Sequence, residues 1–283
     1  MKQLFINPML NKEFKLRFRS FKSFIGIFCY LMAISIVVIG FIYFQSRMSM
    51  NGYFRPNESR TMFMILSFLQ IILVLFITPG LTGGLISGER EKQTLSMLLT
   101  TEQSSTSIIL SKLVSSVSYL LLLILSSLPI YSFVFLFGGV APTDVLMIFG
   151  YSLFLVFVFG SFGIFFSTII RKTIVSMVTA YGSVLFLVGG SLFLFALTMA
   201  LTGVSSNGTP ATNPIAYFMA MFNPGIVLYS HFEPNMMDEI LSMTGISFPL
   251  WISFIITYSI LAILALFGSI RKLRPRMKTR ARG

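Results

Sequence analysis

A chain of 283 residues with 55 % hydrophobic residues, 31 Phe and 11 % charged residues has too little polar surface for a water-soluble domain, where roughly a quarter of residues are charged. Its net charge of +12 does not point to nucleic acid, because the basic residues stand between long apolar runs rather than on one soluble face. The single cysteine, Cys29, excludes a disulfide framework or a thiolate metal site within the chain.

At the start of the chain, Asn7 and Pro8 suit an N-cap and a first helical residue. Leu10, Phe14, Phe18 and Phe21 then recur at helical spacing, with Lys12, Lys15, Arg19 and Lys22 on the other side. Residues 1–22 therefore read as an amphipathic interfacial helix, with Lys12, Phe14, Lys15, Phe18, Arg19 and Lys22 anchoring it to the membrane surface. A plain basic flank that enforces topology fits the same residues.

Six apolar runs follow, at residues 23–44, 61–86, 113–137, 145–170, 173–202 and 247–270. Each is longer than the roughly 20 residues a helix needs to cross a hydrocarbon core of about 30 Å. The first has a long basic leader, a long core and no Ala-x-Ala site, so it is expected to be retained rather than cleaved. The expected fold class is all-α integral membrane: six transmembrane helices in one domain covering residues 1–283, plus the interfacial helix and a short cytoplasmic helix within residues 87–112.

The connections differ in size. Residues 45–60 form a short loop, 138–144 a tight turn, and Arg171-Lys172 a minimal turn that makes spans four and five an antiparallel pair. The long segment 203–246 contains Asn213-Pro214, Asn223-Pro224-Gly225 and Glu233-Pro234. Its apolar stretch 215–222 is too short to span and suits an interfacial or re-entrant helix. Asn207-Gly208-Thr209 matches a glycosylation sequon. Residues 271–283 carry seven basic residues and read as a solvated tail at the lipid surface.

With the N-terminus inside, 18 of the 21 Lys and Arg residues fall on the cytoplasmic side. Arg47, Arg55 and Arg60 fall outside. This asymmetry places both termini in the cytoplasm of a cell membrane, plasma or inner.

All carboxylates and all Lys and Arg residues lie outside these runs, so mid-membrane ion-relay groups of the kind found in ion-coupled transporters are lacking. Asp144 and Lys112 stand at span edges and read as solvated interfacial charges. His231 reads as a partly exposed surface histidine near Tyr229 and Glu233, unable to build a multi-histidine metal site. The sequence holds no serine placed beside it for hydrolysis and no phosphate-binding loop. The chain is therefore not expected to be an enzyme, and no cofactor is expected on it.

Span two ends in Thr78-Pro79-Gly80-Leu81-Thr82-Gly83-Gly84-Leu85-Ile86-Ser87-Gly88. Gly80, Gly84 and Gly88 form a small-residue row that admits close approach of another helix, and Pro79 predicts a kink just before it. Packing within the bundle is favoured over a subunit interface, and both remain open. Glu89 to Thr101 follows, with Leu95, Leu98 and Leu99 on one helical face. That ridge fits a partner's groove, or lipid.

The stretch from Ser87 to Thr101, followed by Ile109-Leu110-Ser111-Lys112-Leu113, resembles the signature of type-two ATP-binding-cassette exporter permeases. In that family an acidic-basic cluster, Thr-Leu, a Leu pair and a later Lys-Leu connect spans two and three. The layout is similar over nearly the whole chain. Gln93 and Glu102 depart from the pattern, which often has Gly and Pro there. The resemblance implies a coupling element in which Glu89, Arg90, Glu91, Thr94, Leu95, Leu98 and Leu99 face a cytoplasmic ATPase subunit. It further implies ATP and Mg on that partner and a second permease, identical or paralogous, completing the pathway. The span composition suits an apolar or amphipathic cargo. A non-transporting membrane assembly or sensing subunit is the alternative, and a lipid-acting enzyme is disfavoured for want of acid, base and metal groups.

Overall fold

The computed structural model describes Glu13 and residues 17–48, 56–95, 104–136, 138–201, 213–233 and 235–273. Every element among them is helical. In chain order they are α1 (Phe21–Met48), α2 (Pro56–Thr82), α3 (Ser87–Glu91), α4 (Ser105–Ser126), α5 (Leu128–Leu136), α6 (Pro142–Ile169), α7 (Thr173–Leu185), a π-helical turn (Phe186–Gly190), α8 (Ser191–Leu201), α9 (Pro214–Met221), α10 (Pro224–Phe232), α11 (Asn235–Thr244) and α12 (Leu250–Leu273).

Six stretches are long and apolar enough to cross a membrane: Ser23–Arg47, Glu58–Glu91, Ser105–Phe135, Pro142–Ile169, Thr173–Leu201 and Leu250–Leu273. They coincide with the six apolar runs, as expected of a multi-pass membrane protein. Two boundaries differ. Span two continues through the charged residues at its end. Span three begins eight residues before the apolar run, where the Ser104 hydroxyl accepts the Ser107 N–H at 3.1 Å as an N-cap and Lys112 is carried into the helix.

Spans two, three and four form the center, with 50, 61 and 56 % of their apolar windows buried, against 17 and 11 % for spans one and five. Lipid tails are as apolar as leucine, so helices associate in a membrane through close packing and hydrogen bonds. Both are present here. Gln70 on span two donates to the Ser152 hydroxyl on span four at 3.1 Å and accepts from Ser127 on span three at 3.5 Å. Around this polar contact pack Phe63, Leu66, Tyr131, Leu155 and Phe159.

The small-residue row is used inside the chain. A Cβ on Gly80 would stand 2.6 Å from the Tyr181 hydroxyl, and one on Gly84 would stand 2.5 Å from the Met177 methyl. Both neighbours belong to α7 on span five. Gly88 is looser, with the Thr173 hydroxyl 3.8 Å from its Cβ position. Gly80 and Gly84 thus pack against span five within the chain.

The turns follow the punctuation of the sequence. Gly138 and Gly139 take φ of 75° and 88°, a region that only glycine adopts at little cost. α6 then opens on Pro142, and the Asp144 carboxylate accepts the Ala141 N–H at 3.4 Å. Between spans four and five the chain turns within Ile170, Arg171 and Lys172.

The segment before span six holds three helices rather than one. Asn213 and Asn223 cap α9 and α10, each followed by a proline at the first helical position. Between them, the Phe222 carbonyl accepts from Tyr258 at 2.6 Å and the Pro224 carbonyl from Tyr151 at 2.8 Å. Tyr151 and Tyr258 lie nine and eight residues into their spans, about 12 Å along the axis at 1.5 Å per residue. The tip of the α9–α10 hairpin thus packs against spans four and six about two turns beyond their first residues. Asn223 is buried and donates to the Val188 carbonyl at 2.6 Å, one of the groups loosened by the π turn in span five. Irregular backbone at this depth is tolerated when protein groups satisfy it.

Candidate functional site

The two ends of the bundle differ in charge. Arg90, Lys112, Arg171 and Arg271 mark one end, called here the basic end, and the proposed coupling residues lie there. Backbone geometry builds the site first. α2 stops at Thr82, residues 83–86 form turns, and α3 begins at Ser87. Breaking a helix inside a membrane protein frees backbone groups that need partners. The Ser167 hydroxyl on span four accepts the N–H groups of Ile86 and Ser87 at 2.8 and 3.0 Å, and Ser176 on span five donates to the Gly83 carbonyl at 2.6 Å. Neither serine stood out in the sequence, since each sits alone in an apolar run.

α3 ends in a left-handed stop. Gln93 takes φ 58°, its N–H reaches the Arg90 carbonyl at 3.1 Å, and the Thr94 N–H reaches the Glu89 carbonyl at 3.0 Å. This pair of bonds satisfies the last carbonyls of a helix and normally places glycine at the left-handed position. Gln93 is also where the resembling family often carries glycine.

Three consecutive side chains of α3 then tie it to three other spans. Glu89 pairs with Lys112 of span three at 3.2 Å and accepts from the Thr94 hydroxyl. Arg90 donates to the Thr168 carbonyl, at the end of span four, at 3.1 Å. Glu91 accepts from both the backbone N–H and the hydroxyl of Thr173, the first residue of span five, at 2.9 and 2.6 Å. Lys112 also pairs with Glu13 at 2.9 Å.

Two expectations are corrected. Lys112 is not a solvated interfacial charge: its side chain is 2 % exposed and held by two carboxylates, an arrangement that makes a buried ammonium tolerable. Leu95 does not stand on an outward ridge. It is buried with Ile86, Ile108, Ile109, Leu113, Ile164 and Leu273, so this leucine seals the basic ends of spans two, three, four and six. Leu98 and Leu99 lie outside the described residues. So do Lys12, Phe14, Lys15, the sequon at 207–209 and the tail from residue 274, and nothing describes the Lys22 side chain.

Of the remaining anchoring residues, Arg19 is exposed, whereas Phe18 packs edge-on against Tyr119 of span three with ring centroids 6.3 Å apart. Phe18 therefore serves the bundle rather than lying free in the headgroup layer. Burial pushes the Arg17 pKa down, against the opposing pull of the Glu13 carboxylate. At the far end, His231 is partly exposed and its Nε2 is 3.9 Å from an Asp144 oxygen. Among the described residues, no three His, Cys, Asp or Glu side chains gather where they could hold a metal.

Compared with known proteins, the chain matches no family model, and no curated protein matches it.

Proposed function

We propose that this chain is the permease subunit of an ATP-binding-cassette exporter, forming half of a translocation pathway and taking its energy from a separate cytoplasmic ATPase. The observation that carries this reading is the wiring of α3. Glu89, Arg90 and Glu91 connect one short helix to the basic ends of spans three, four and five, while the chain itself continues up span two. A push on such a node reaches four spans at once, as a coupling element requires. The string that is similar to the exporter signature begins on this node, at Ser87.

On this reading the basic end faces the cytoplasm, ATP and Mg bind the partner ATPases, and a second permease completes the pathway. The sparsely covered spans one and five leave surface for that second permease. Burial of Leu95 moves the ATPase contact onto the polar side of α3 and onto the residues that follow Leu95.

ATP-dependent uptake of an amphipathic compound into inverted vesicles, together with recovery of an ATPase subunit on pull-down from detergent, is the expected result. A chain that purifies with no ATPase would overturn the proposal, and association without transport would favour an assembly or sensing subunit. Leu98→Asp should weaken ATPase association while sparing insertion. Leu95→Asp should instead destabilise the chain itself, because it buries a carboxylate among six apolar neighbours.

A further inference from the structure

Toward the far end, span four, span six and α10 enclose a cavity of 310 Å³ lined by Gly150, Tyr151, Phe154, Phe254 and Ile255, among others. Met147, Val227 and Trp251 line both this cavity and a second one of 560 Å³, whose wall also carries Ser230, His231 and Ser247. The two share a wall and form one groove, apolar at the inner end and mainly apolar at the mouth, where Ser230, His231 and Ser247 add polar side chains. Each volume is in the range of small-molecule sites, about 300–1,000 Å³.

The groove runs along span four, from its first turns toward Phe154. Its mouth lies at the first turns of span four and span six, beside Asp144 and Leu250, where a spanning helix leaves the headgroup layer. Asp144 stands there 3.9 Å from His231. Phe154 lies ten residues further along span four, about 15 Å deeper at 1.5 Å per residue. Trp251 and Met147 are 56 and 38 % exposed, so the groove opens sideways to the surrounding bilayer.

We propose that this groove is a lipid site: it holds one acyl chain of a glycerophospholipid between Gly150, Phe154 and Ile255, with the headgroup at Ser230, His231 and Ser247. The polarity gradient matches that of a phospholipid, polar at the interface and hydrocarbon below. A neighbouring helix, about 10 Å across, would need a trough running the length of a span, and this groove closes at Phe154 after less than half of span four.

Trp251 is the sole tryptophan of the chain, so its emission reports directly on the groove. The purified full-length chain in a non-quenching detergent is titrated with phosphatidylcholine brominated on its acyl chain. Quenching is expected to saturate at a single lipid per chain and to be reversed by unbrominated phosphatidylcholine. A Cβ on Gly150 meets nothing within 4 Å, so the side chain of Gly150→Leu starts into open space, and the variant is expected to raise the half-saturating lipid concentration about tenfold. Ile255→Phe fills it from span six and should act alike, so the test survives the failure of either variant to fold. Quenching that rises with micelle lipid content without saturating, or curves identical in wild type and both variants, would overturn the proposal. So would reversal by a sterol but not by phospholipid.

Discussion

Glu91, at the end of the short helix that leaves span two, receives both the backbone N–H and the hydroxyl of Thr173, the residue that opens span five. The two residues are far apart in sequence, yet the carboxylate acts as the N-cap that span five lacks locally, since Lys172 in the N-cap position makes no side-chain bond. A carboxylate at a helix N-terminus also complements the helix dipole. Glu91→Ala is expected to lower the thermal midpoint in detergent slightly and to raise amide exchange in the first turn of span five. Glu91→Gln, which keeps an acceptor, should lie between. Exchange confined to α3 with span five unchanged would contradict the capping role.

Gln93 holds a left-handed conformation that costs a side-chain-bearing residue about 1 kcal/mol relative to glycine. Gln93→Gly is expected to stabilise the chain by about that amount, read as a higher denaturation midpoint. Gln93→Val, branched at Cβ, should lower it by more. If glycine lowered the midpoint instead, the Gln93 side chain would be contributing more than the turn costs.

Lys112 is buried between Glu13 and Glu89, whose side chains are 18 and 30 % exposed. Lys112→Met leaves two carboxylates without their counter-charge, and removing one member of a buried pair costs about 3 kcal/mol. Adding Glu13→Gln and Glu89→Gln to Lys112→Met should recover most of the loss, because no uncompensated charge remains. The check is unfolding in a mild detergent series. Equal midpoints for the single and triple variants would show the cluster to be solvated.

Asn223 joins the α9–α10 hairpin to span five. Its Nδ2 donates to the Val188 carbonyl and the Ser191 hydroxyl, and its Oδ1 accepts the N–H groups of Gly225 and Ile226. Asn223→Ala removes the cap of α10 and the side-chain tie to span five, at a cost of about 1 kcal/mol. Proteolysis of residues 213–233 should accelerate. Asn223→Ser keeps the cap but not the reach to Val188, so it should protect α10 without restoring the hairpin's contact to span five.

Much of the fold was legible in the sequence, because spanning a hydrocarbon core imposes a minimum length and a composition that few other constraints imitate. The six runs and the turn at Arg171-Lys172 could be read residue by residue, whereas Asn213-Pro214 and Asn223-Pro224 read only as breaks and proved to be helix starts. The location of the candidate site was legible too, as the one charged string between two apolar runs that also carries a glycine row. Its contacts were not. Helical periodicity groups Leu95 with Leu98 and Leu99 on a face but does not say whether that face meets the chain itself or a partner. Ser167, Ser176 and Gln70 were missed because a polar group alone in an apolar run looks the same whether it bonds its own helix or a neighbour's broken backbone.

Length and hydropathy by themselves determined that this chain carries six helical stretches long and apolar enough to cross a membrane, since a lipid solvent rejects exposed backbone and favours continuous helices. Which helices touch, which end of span two is braced, and how a buried lysine is neutralised were decided by the tertiary structure. Those outcomes depend on distances of 2.6 to 3.2 Å between residues tens of positions apart, and no local pattern in the chain encodes them.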